Sequence, residues 1–349
     1  MRVDVHNHAI PQEALRFIQS RPEFEFSLDG DTWATPHHGR LKLWPSMIDP
    51  EAKLSELGGA GLHAAVISTN PLLYYHDLDG PLVAELCEVV NDGLARFCQA
   101  SPDRLRWMAQ LPMQWPEATV STLERAAAGG CVGVEIDTAI AGVSLDDPRF
   151  EPFWSMTEQL GLPVFLHPAY VPEPASIQDW YLHNVIGLQF QTTIAVERLI
   201  CSGVLNRHPE QSLLLAHAGG YFPWQAGRLS HALTVAPELS TVARDPWTYL
   251  PQLYFDTITH DVAALRYLVD RVGVAQVMPG TDLPTHMADR QPMNDLIAAV
   301  GVGTAKVVAE TNPARVFRFA CADSGQGVAR DDSAIGHQPP TKANAEAVQ

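Results

Sequence analysis

Short apolar segments alternate with segments of helical periodicity along most of this 349-residue chain. Eight of the apolar segments have the length of β-strands, and helices are predicted between most of them. Short apolar strands separated by helices are typical of parallel sheets that are buried on both faces. Eight such units favour a closed (β/α)8 barrel, the TIM barrel. The alternative, an open doubly wound sheet, usually has fewer strands and a glycine-rich first loop, which this sequence lacks.

The boundaries follow from apolar periodicity, capping residues and glycines. Strands are predicted over residues 3–8, 64–68, 106–111, 131–136, 163–166, 212–216, 253–255 and 276–278. Helices are predicted over residues 51–57, 81–99, 116–128, 150–160, 192–206, 224–233 and 262–272, and near 294–300 and 313–319.

Two regions interrupt this rhythm. Residues 9–46 fit no helix, but alternation at 24–28, 32–35 and 40–44 predicts a small β-insertion over the end of the barrel where the first strand emerges. We therefore predict a barrel domain over 1–320, with an insertion at 9–48 that covers its mouth. The polar residues 321–349 are expected to form a flexible tail.

The formal net charge of −17 is spread along the chain, which argues against nucleic acid or an anionic membrane as a partner. A small anionic substrate would therefore need arginine or lysine close to its site. The sequence shows neither a signal peptide nor an apolar run of membrane-spanning length, so a cytoplasmic protein is expected. The cysteines at 87, 98, 131, 201 and 321 form no Cys-x-x-Cys pair, and buried reduced thiols are expected.

Five polar side chains lie where predicted strands end: His6 and His8, His167, His217, and Asp282. Barrel enzymes place their chemistry at these ends, and residues two apart on a strand face the same way. A His-x-His pair alone is common on surfaces, but the repeated placement is far more specific. Three imidazoles and a carboxylate suit zinc first and manganese second.

The predicted site holds one metal ion, because the fourth strand carries no lysine that could become a bridging carboxylated ligand. That strand does carry Glu135, which is either an extra ligand or a packing and hydrogen-bonding residue. The other histidines lack the strand-end placement, and for most of them surface or packing roles are expected; they are His37, His38, His63, His76, His183, His208, His231, His260, His286 and His337.

Several motifs together resemble the amidohydrolase superfamily, in the branch typified by aminocarboxymuconate-semialdehyde decarboxylase. The similarity runs from about residue 1 to residue 319. The motifs are His6-x-His8, Asp49-Pro50, Leu111-Pro112-Met113-Gln114, Leu166-His167-Pro168, Thr192-Thr193, Ala216-His217-Ala218-Gly219-Gly220-Tyr221-Phe222-Pro223-Trp224 with Gly227-Arg228, and Gly280-Thr281-Asp282-x-Pro284.

The resemblance implies that His6, His8, His167 and Asp282 bind one zinc ion, with His217 as the acid–base catalyst. Asp282 is a second candidate for carrying the catalytic proton. By the same resemblance, Arg228 reaches a substrate carboxylate across a homodimer interface. The branch contains nonoxidative decarboxylases of aminocarboxymuconate semialdehyde and of hydroxylated aromatic acids, together with some hydratases and hydrolases.

The sequence departs from the branch pattern in the pocket wall. Asn184 stands where an active-site tryptophan is expected, and 283–286 replaces an aromatic pair around proline. The second carboxylate-binding arginine has only Arg40 or Lys42 as candidates. We expect a metal-dependent decarboxylase of a small unsaturated or aromatic carboxylic acid. The alternatives are a hydrolase of a ring-cleavage product, lactone or amide, a hydratase, and a noncatalytic binding protein.

Overall fold

The computed structural model describes residues 1–35, 39–169, 175–239 and 244–319. Its central feature is a parallel sheet of seven buried strands with the order β1-β5-β6-β7-β10-β11-β12. The strands are β1 (Val3–Ala9), β5 (Ala64–Thr69), β6 (Leu105–Gln110), β7 (Gly133–Ile136), β10 (Val164–Leu166), β11 (Leu213–Leu215) and β12 (Leu253–Phe255).

The segment 277–283 joins the two edge strands of this sheet. Val277 bridges Phe255 of β12, and Leu283 bridges Asn7 of β1, both in parallel orientation. The Val5 amide also donates to the carbonyl of Pro279 at 2.8 Å. The predicted eighth strand is therefore reduced to isolated bridges, but it occupies the expected place, and the mixed α/β arrangement is consistent with the predicted barrel.

Helices cover the outside of the sheet, and most begin at a proline or at a capping aspartate. Asp49 accepts a hydrogen bond from the Glu51 amide at one helix start, and Asp261 accepts one from Ala264 at another. The helices are α1 (Gln12–Gln19), α2 (Pro45–Ile48), α3 (Pro50–Gly59), α4 (Gly80–Gln99), α5 (Pro116–Ala128), α6 (Glu151–Leu160), α7 (Leu188–Cys201), α8 (Val204–Arg207), α9 (Phe222–Val235), α10 (Val262–Val272), α11 (Pro292–Lys306) and α12 (Asn312–Phe317).

The region after the first strand contains both a small sheet and a helix. Strands β2 (Ser27–Asp29), β3 (Thr32–Thr35) and β4 (Gly39–Lys42) form a three-stranded antiparallel sheet. The expectation that residues 9–46 contain no helix is wrong, because α1 lies within them and α2 begins there. Ala14 and Ile18, four residues apart, are both buried on one face of α1. This helix begins without a capping side chain, whereas Asp49 caps the helix that was predicted after it.

Two boundaries differ from the predictions in ways that matter below. Strand β1 continues to Ala9, so His6 and His8 lie inside its second half and not at its end. The helix predicted over 192–206 begins earlier, with a π-helical turn at His183–Gly187, and ends at Cys201. Gly203, with a positive φ of 78°, separates it from α8. A short antiparallel pair, β8 (Ala139–Ile140) with β9 (Val143–Ser144), lies outside the main sheet.

The core consists of apolar side chains between the sheet and the helices, with a second cluster inside the ring of strands around Val5, Phe165 and Leu214. Cys87, Cys98 and Cys131 are buried and reduced, and Cys201 is half-buried and reduced. Cys321 and the predicted tail lie outside the described residues. In the described part of the chain, no helix combines the length and the apolar character needed to cross a membrane.

Candidate metal centre and substrate cavity

Four of the five predicted strand-end residues meet at one buried point. Ligand atoms of His6, His8, His167 and Asp282 all lie within 4.8 Å of one another. The Asp282 Oδ1 atom is 3.1 Å from His8 Nε2 and 3.5 Å from His6 Nε2. Because three imidazoles and one carboxylate can surround a single divalent ion, this cluster is a candidate mononuclear metal centre.

The hydrogen bonds of the three histidines show that their free nitrogens face the centre. Each Nδ1 atom has a hydrogen-bond partner. The partner of His6 Nδ1 is Asp256 Oδ2, at 2.7 Å. The partners of the other two are backbone carbonyls, that of residue 69 for His8 at 2.9 Å and that of residue 168 for His167 at 3.1 Å. All three Nε2 atoms are buried without a hydrogen-bond partner among the described residues. Buried polar atoms normally have partners, so these three nitrogens fit a bound metal ion.

A buried carboxylate joins the two halves of the centre, which are 274 positions apart between His8 and Asp282. Asp4 accepts hydrogen bonds from the amides of His6 and Thr281, each at 3.1 Å, and from the Thr281 hydroxyl at 2.5 Å. The Asp282 amide in turn donates to the His6 carbonyl at 2.9 Å. These bonds fix the N-terminal strand against the segment that carries Asp282.

His217, the fifth predicted residue, lies beside the cluster on a strained turn. Its Nε2 atom is 4.0 Å from Asp282 Oδ2, and both His217 and Ala218 have positive φ angles, 53° and 57°. The Asp256 carboxylate holds this turn, because it accepts the amides of His217 at 2.8 Å and Ala218 at 2.7 Å. A Cβ atom on Gly220 would lie 2.2 Å from the Gln189 carbonyl, so glycine is needed there.

The electrostatics of the cluster favour a cation. Burial raises the pKa of Asp282, but the three nearby imidazoles, His217 first, outweigh it and hold that pKa well below its usual range. Burial lowers the pKa of His8, and burial with the neighbouring imidazoles lowers that of His167 strongly. Burial also lowers the pKa of His6, but the carboxylates of Asp256 and Asp282 outweigh it and raise the value to about 10.

Two adjacent spaces have His217 and Asp282 in their walls. The first, the metal-side cavity, has a volume of about 240 Å³ and is lined by His8, His167, Arg40, His183 and His286. The second, the apolar chamber, has a volume of about 490 Å³ and is lined mainly by side chains of α7, α9, α10 and the loop before α10. Its apolar wall consists of Val185, Leu188, Tyr221, Trp224, Ile258 and Ala264.

The remaining predicted residues are placed as follows. Arg40 lines the metal-side cavity, whereas Lys42 pairs with Asp31 at 3.3 Å. Arg228 is exposed on α9 and lines a separate groove with Phe190 and Glu197. Within its own chain it does not line either space beside His217.

Glu135 is buried outside the ligand cluster, where it accepts a hydrogen bond from Ser68 at 3.0 Å. Burial raises its pKa to about 8. Three of the other histidines lie at these spaces: His183 and His286 line the metal-side cavity, and His260 lines the apolar chamber. The loops that place them carry no periodic signal. His37, His38 and His337 lie outside the described residues.

Sequence reasoning missed the importance of three residues that hold the cluster. They are Asp256, Asp4 and Lys53, whose buried ammonium donates to the His8 carbonyl at 3.0 Å. Asp256 directly follows β12, so the strand-end criterion applied to the histidines would have identified it. Asp4 and Lys53 gave no such signal, because the contacts that matter, from Thr281 to Asp4 and from Lys53 to the His8 carbonyl, join distant parts of the chain.

A buried cluster of three histidines and one aspartate beside parallel strands is the kind of site that metal-dependent enzymes use. A protein-family model described as amidohydrolase matches residues 3–319. The chain therefore belongs to the amidohydrolase family, as the motifs predicted.

Named proteins of similar sequence are decarboxylases. The chain is 27% identical to 2-amino-3-carboxymuconate-6-semialdehyde decarboxylase of Dictyostelium discoideum, over 89% of this chain and 88% of that protein. It is 26% identical to gamma-resorcylate decarboxylase of a Rhizobium species, over 83% and 91% of the two chains. Among solved structures, IDCase of Metarhizium anisopliae superposes with a TM-score of 0.80 at 25% identity, covering 91% of this chain and 97% of that one.

Proposed function

We propose that this protein is a metal-dependent nonoxidative decarboxylase of a small unsaturated or aromatic carboxylic acid. The observation that carries the proposal is the convergence of three unpaired, buried Nε2 atoms and Asp282 at a cavity that also contains His217. The similarity to two decarboxylases over most of the chain favours loss of carbon dioxide over other reactions of such a site.

His6, His8, His167 and Asp282 would hold one divalent ion, zinc in our proposal and manganese as the alternative. When bound, this ion acts as a Lewis acid that polarises a substrate oxygen. The low pKa of Asp282 favours its role as an anionic ligand. Asp256 and Asp4 orient His6 and the Asp282 segment, which keeps the ligand set in one geometry.

His217 is the proposed proton carrier. In decarboxylation the bond between the substrate carbon and its carboxyl group breaks, carbon dioxide leaves, and the retained electron pair takes up a proton. His217 borders both spaces, and its Nε2 atom lies 4.0 Å from Asp282. It can therefore reach a substrate at the cluster and deliver that proton.

Positive charge is needed to bind an acid in a protein of net charge −17. Arg40 supplies it from the metal-side cavity and is our candidate for the substrate carboxylate. Arg228 would contribute from a second protomer. Exposed apolar side chains of α7 support a homodimer through this face: Phe190, which shares a groove with Arg228, is 51% exposed, and Ile194 is 37% exposed.

Hydrolysis of a lactone or amide is the second candidate, because the same residues could activate water and protonate a leaving group. A substrate panel separates the two reactions. Metal-loaded enzyme is incubated with ortho-hydroxy and ortho-amino aromatic acids and with lactones, while carbon dioxide and acid release are recorded. We expect carbon dioxide from at least one acid. Acid release from lactones without carbon dioxide would overturn decarboxylation, and inertness with tight binding would indicate a binding protein.

The His217→Ala variant tests the assignment of the proton carrier. We expect it to retain a full complement of metal and to lose activity by about 100- to 10,000-fold, the range typical of general acid–base catalysis. Metal content is measured beside carbon dioxide release. Unchanged activity in a metal-loaded variant would refute the role of His217.

Further aspects of the proposal concern architecture and location. We infer a (β/α)8 barrel over 1–320, with residues 9–48 as an insertion at its mouth and 321–349 as a flexible tail. The position of Arg40 on the cavity wall supports the placement of the insertion. A cytoplasmic location is part of the same proposal.

A further inference from the structure

The space beside the metal centre is divided between a polar and an apolar side. The metal-side cavity contains three members of the ligand cluster together with Arg40, His183 and His286. The apolar chamber touches only Asp282 of that cluster and is about twice as large, 490 against 240 Å³. A small acid bound at the cluster would not fill the chamber. Water would then occupy a space whose walls are mostly apolar.

The chamber adjoins the metal-side cavity. His217 and Asp282 border both spaces, and so do Asn184, Leu188 and Met287. A ligand at the cluster that extends past His217 would therefore enter the chamber. Because apolar walls next to a charged anchor recognise ligands with one polar and one hydrocarbon end, this division indicates how a substrate is oriented.

The walls of the chamber are set by the fold. Gly220 has no side chain, which lets the N-terminus of α9 approach α7, and the Tyr221 amide donates to the Thr193 hydroxyl at 2.8 Å. Trp224 stacks on Tyr267 of α10 with ring centroids 5.8 Å apart. Ile258 is buried at the base of the chamber. These contacts hold three elements around one space.

We propose that the substrate is an acid that carries an apolar substituent, and that this substituent occupies the apolar chamber. Leu188, Trp224, Ile258 and Ala264 would determine the accepted size, while the acid end lies in the metal-side cavity. This inference rests on the proposed function only in placing the reacting end of the ligand at the cluster. An alkyl chain or a second ring on the substrate would fill the chamber, whereas an unsubstituted benzoate would leave it unfilled.

The test measures ligand binding apart from turnover. Phenol and phenols bearing methyl to butyl groups at the 2, 3 or 4 position serve as analogues of decarboxylated products, and calorimetry gives their Kd for metal-loaded enzyme. We expect at least one positional series to bind about fourfold more tightly with each added methylene group. The corresponding alkyl 2-hydroxybenzoic acids are assayed in parallel for carbon dioxide release.

The Ala264→Phe variant should fill the chamber and abolish the gain from longer alkyl groups, while binding of phenol itself stays within about twofold of wild type. Ala263→Phe is the matched control, because Ala263 is the exposed neighbour on the same helix and does not line the chamber. If Ala264→Phe fails to fold by circular dichroism, Ala264→Val should still reduce the gain partially.

The outcomes separate the two proposals. Chain-length-dependent binding without carbon dioxide from any acid would support the chamber and overturn the decarboxylase. Carbon dioxide release with affinity independent of alkyl length in every positional series would overturn the chamber proposal. An equal loss in the Ala264→Phe and Ala263→Phe variants would overturn it as well.

Discussion

The two walls of the candidate site differ in how their side chains are held. The inner wall is the metal cluster with Asp256, and the outer wall is the apolar lining of the chamber. On the inner wall, His6, His8 and Asp256 are buried, and every Nδ1 atom of the three ligand histidines has a hydrogen-bond partner. On the outer wall, Val185 is 52% exposed and Trp224 is 41% exposed, with few polar contacts to fix them. The inner wall therefore has one geometry, whereas the outer wall can change in shape and in composition at low cost.

This difference indicates which side chains could change without disturbing the candidate metal centre. A ligand cluster tolerates little displacement, since its partners lie in several strands and are mutually hydrogen-bonded. Side chains on the surface of α7, α9 and α10 are not constrained in this way. Residue 184, where this chain has asparagine and not the expected tryptophan, lies on that outer side. Substitutions should therefore affect the two walls very differently.

The largest effect is expected on the inner wall from Asp282→Ala. Loss of the one carboxylate ligand should release the metal and reduce kcat/KM by about a thousandfold, ~4 kcal/mol of transition-state stabilisation. Elemental analysis and carbon dioxide release check this, with Asp270→Ala on the exposed face of α10 as the control. A variant that retains stoichiometric metal and wild-type activity would remove Asp282 from the site.

A second inner-wall prediction uses the raised pKa of Glu135, about 8 against 4.5 in an unfolded chain. In metal-free protein the folded state keeps this proton above pH 4.5 while the unfolded chain loses it. The contribution of Glu135 to the free energy of unfolding should therefore fall as the pH rises, by about 2.5 kcal/mol between pH 5 and pH 7.

Urea unfolding at several pH values compares wild type with Glu135→Gln, which should lack this component of the pH dependence. Glu124→Gln, at an exposed position on α5, is the matched control. Parallel pH profiles for wild type and Glu135→Gln would show that Glu135 does not retain its proton.

Asp256→Asn should weaken the inner wall more moderately. The amide cannot replace both the contact to His6 and the two backbone bonds at His217, so metal affinity or activity should fall by about 10- to 100-fold. Competition with a chelator measures the affinity, and Asp270→Asn is the control. A metal affinity and an activity both equal to wild type would place Asp256 outside the supporting network.

The smallest effect is expected on KM, from Arg228, which lies outside both walls of its own chain. Arg228→Ala should raise KM for the acid by about tenfold, ~1.4 kcal/mol, with unchanged metal content, if the arginine reaches a partner's site. Arg228→Lys should restore part of the effect, because lysine keeps the charge but not the two-pronged geometry. Gln225→Ala on the same helix is the control, and an unaltered KM in Arg228→Ala would exclude the role.

The inner wall was more predictable from sequence than the outer wall. His6, His8, His167, His217 and Asp282 each lie in or next to an apolar strand, and parallel strands bring such residues to one end of a barrel. Asp256 also directly follows an apolar strand, β12. Asp4 and Lys53 were not predictable, because a hydrogen bond from Thr281 or to the His8 carbonyl depends on how distant segments pack.

The outer wall depends on loops and on helix ends. His183 and His286 follow no periodic pattern, and their place on the cavity wall arises from a π-helical turn and from the loop after Asp282. The helix α1 was missed because no capping side chain marks where it begins. Local signals thus located the candidate metal centre, whereas long-range packing determined the shape of the pocket.

Metal removal and reconstitution test the central claim most directly. Protein stripped with a chelator is reloaded with zinc or manganese, and metal content and carbon dioxide release from the most active acid of the panel are measured on the same samples. We predict one divalent ion per chain, loss of activity on stripping, and recovery in proportion to the ion restored. Full activity in metal-free protein would contradict the account.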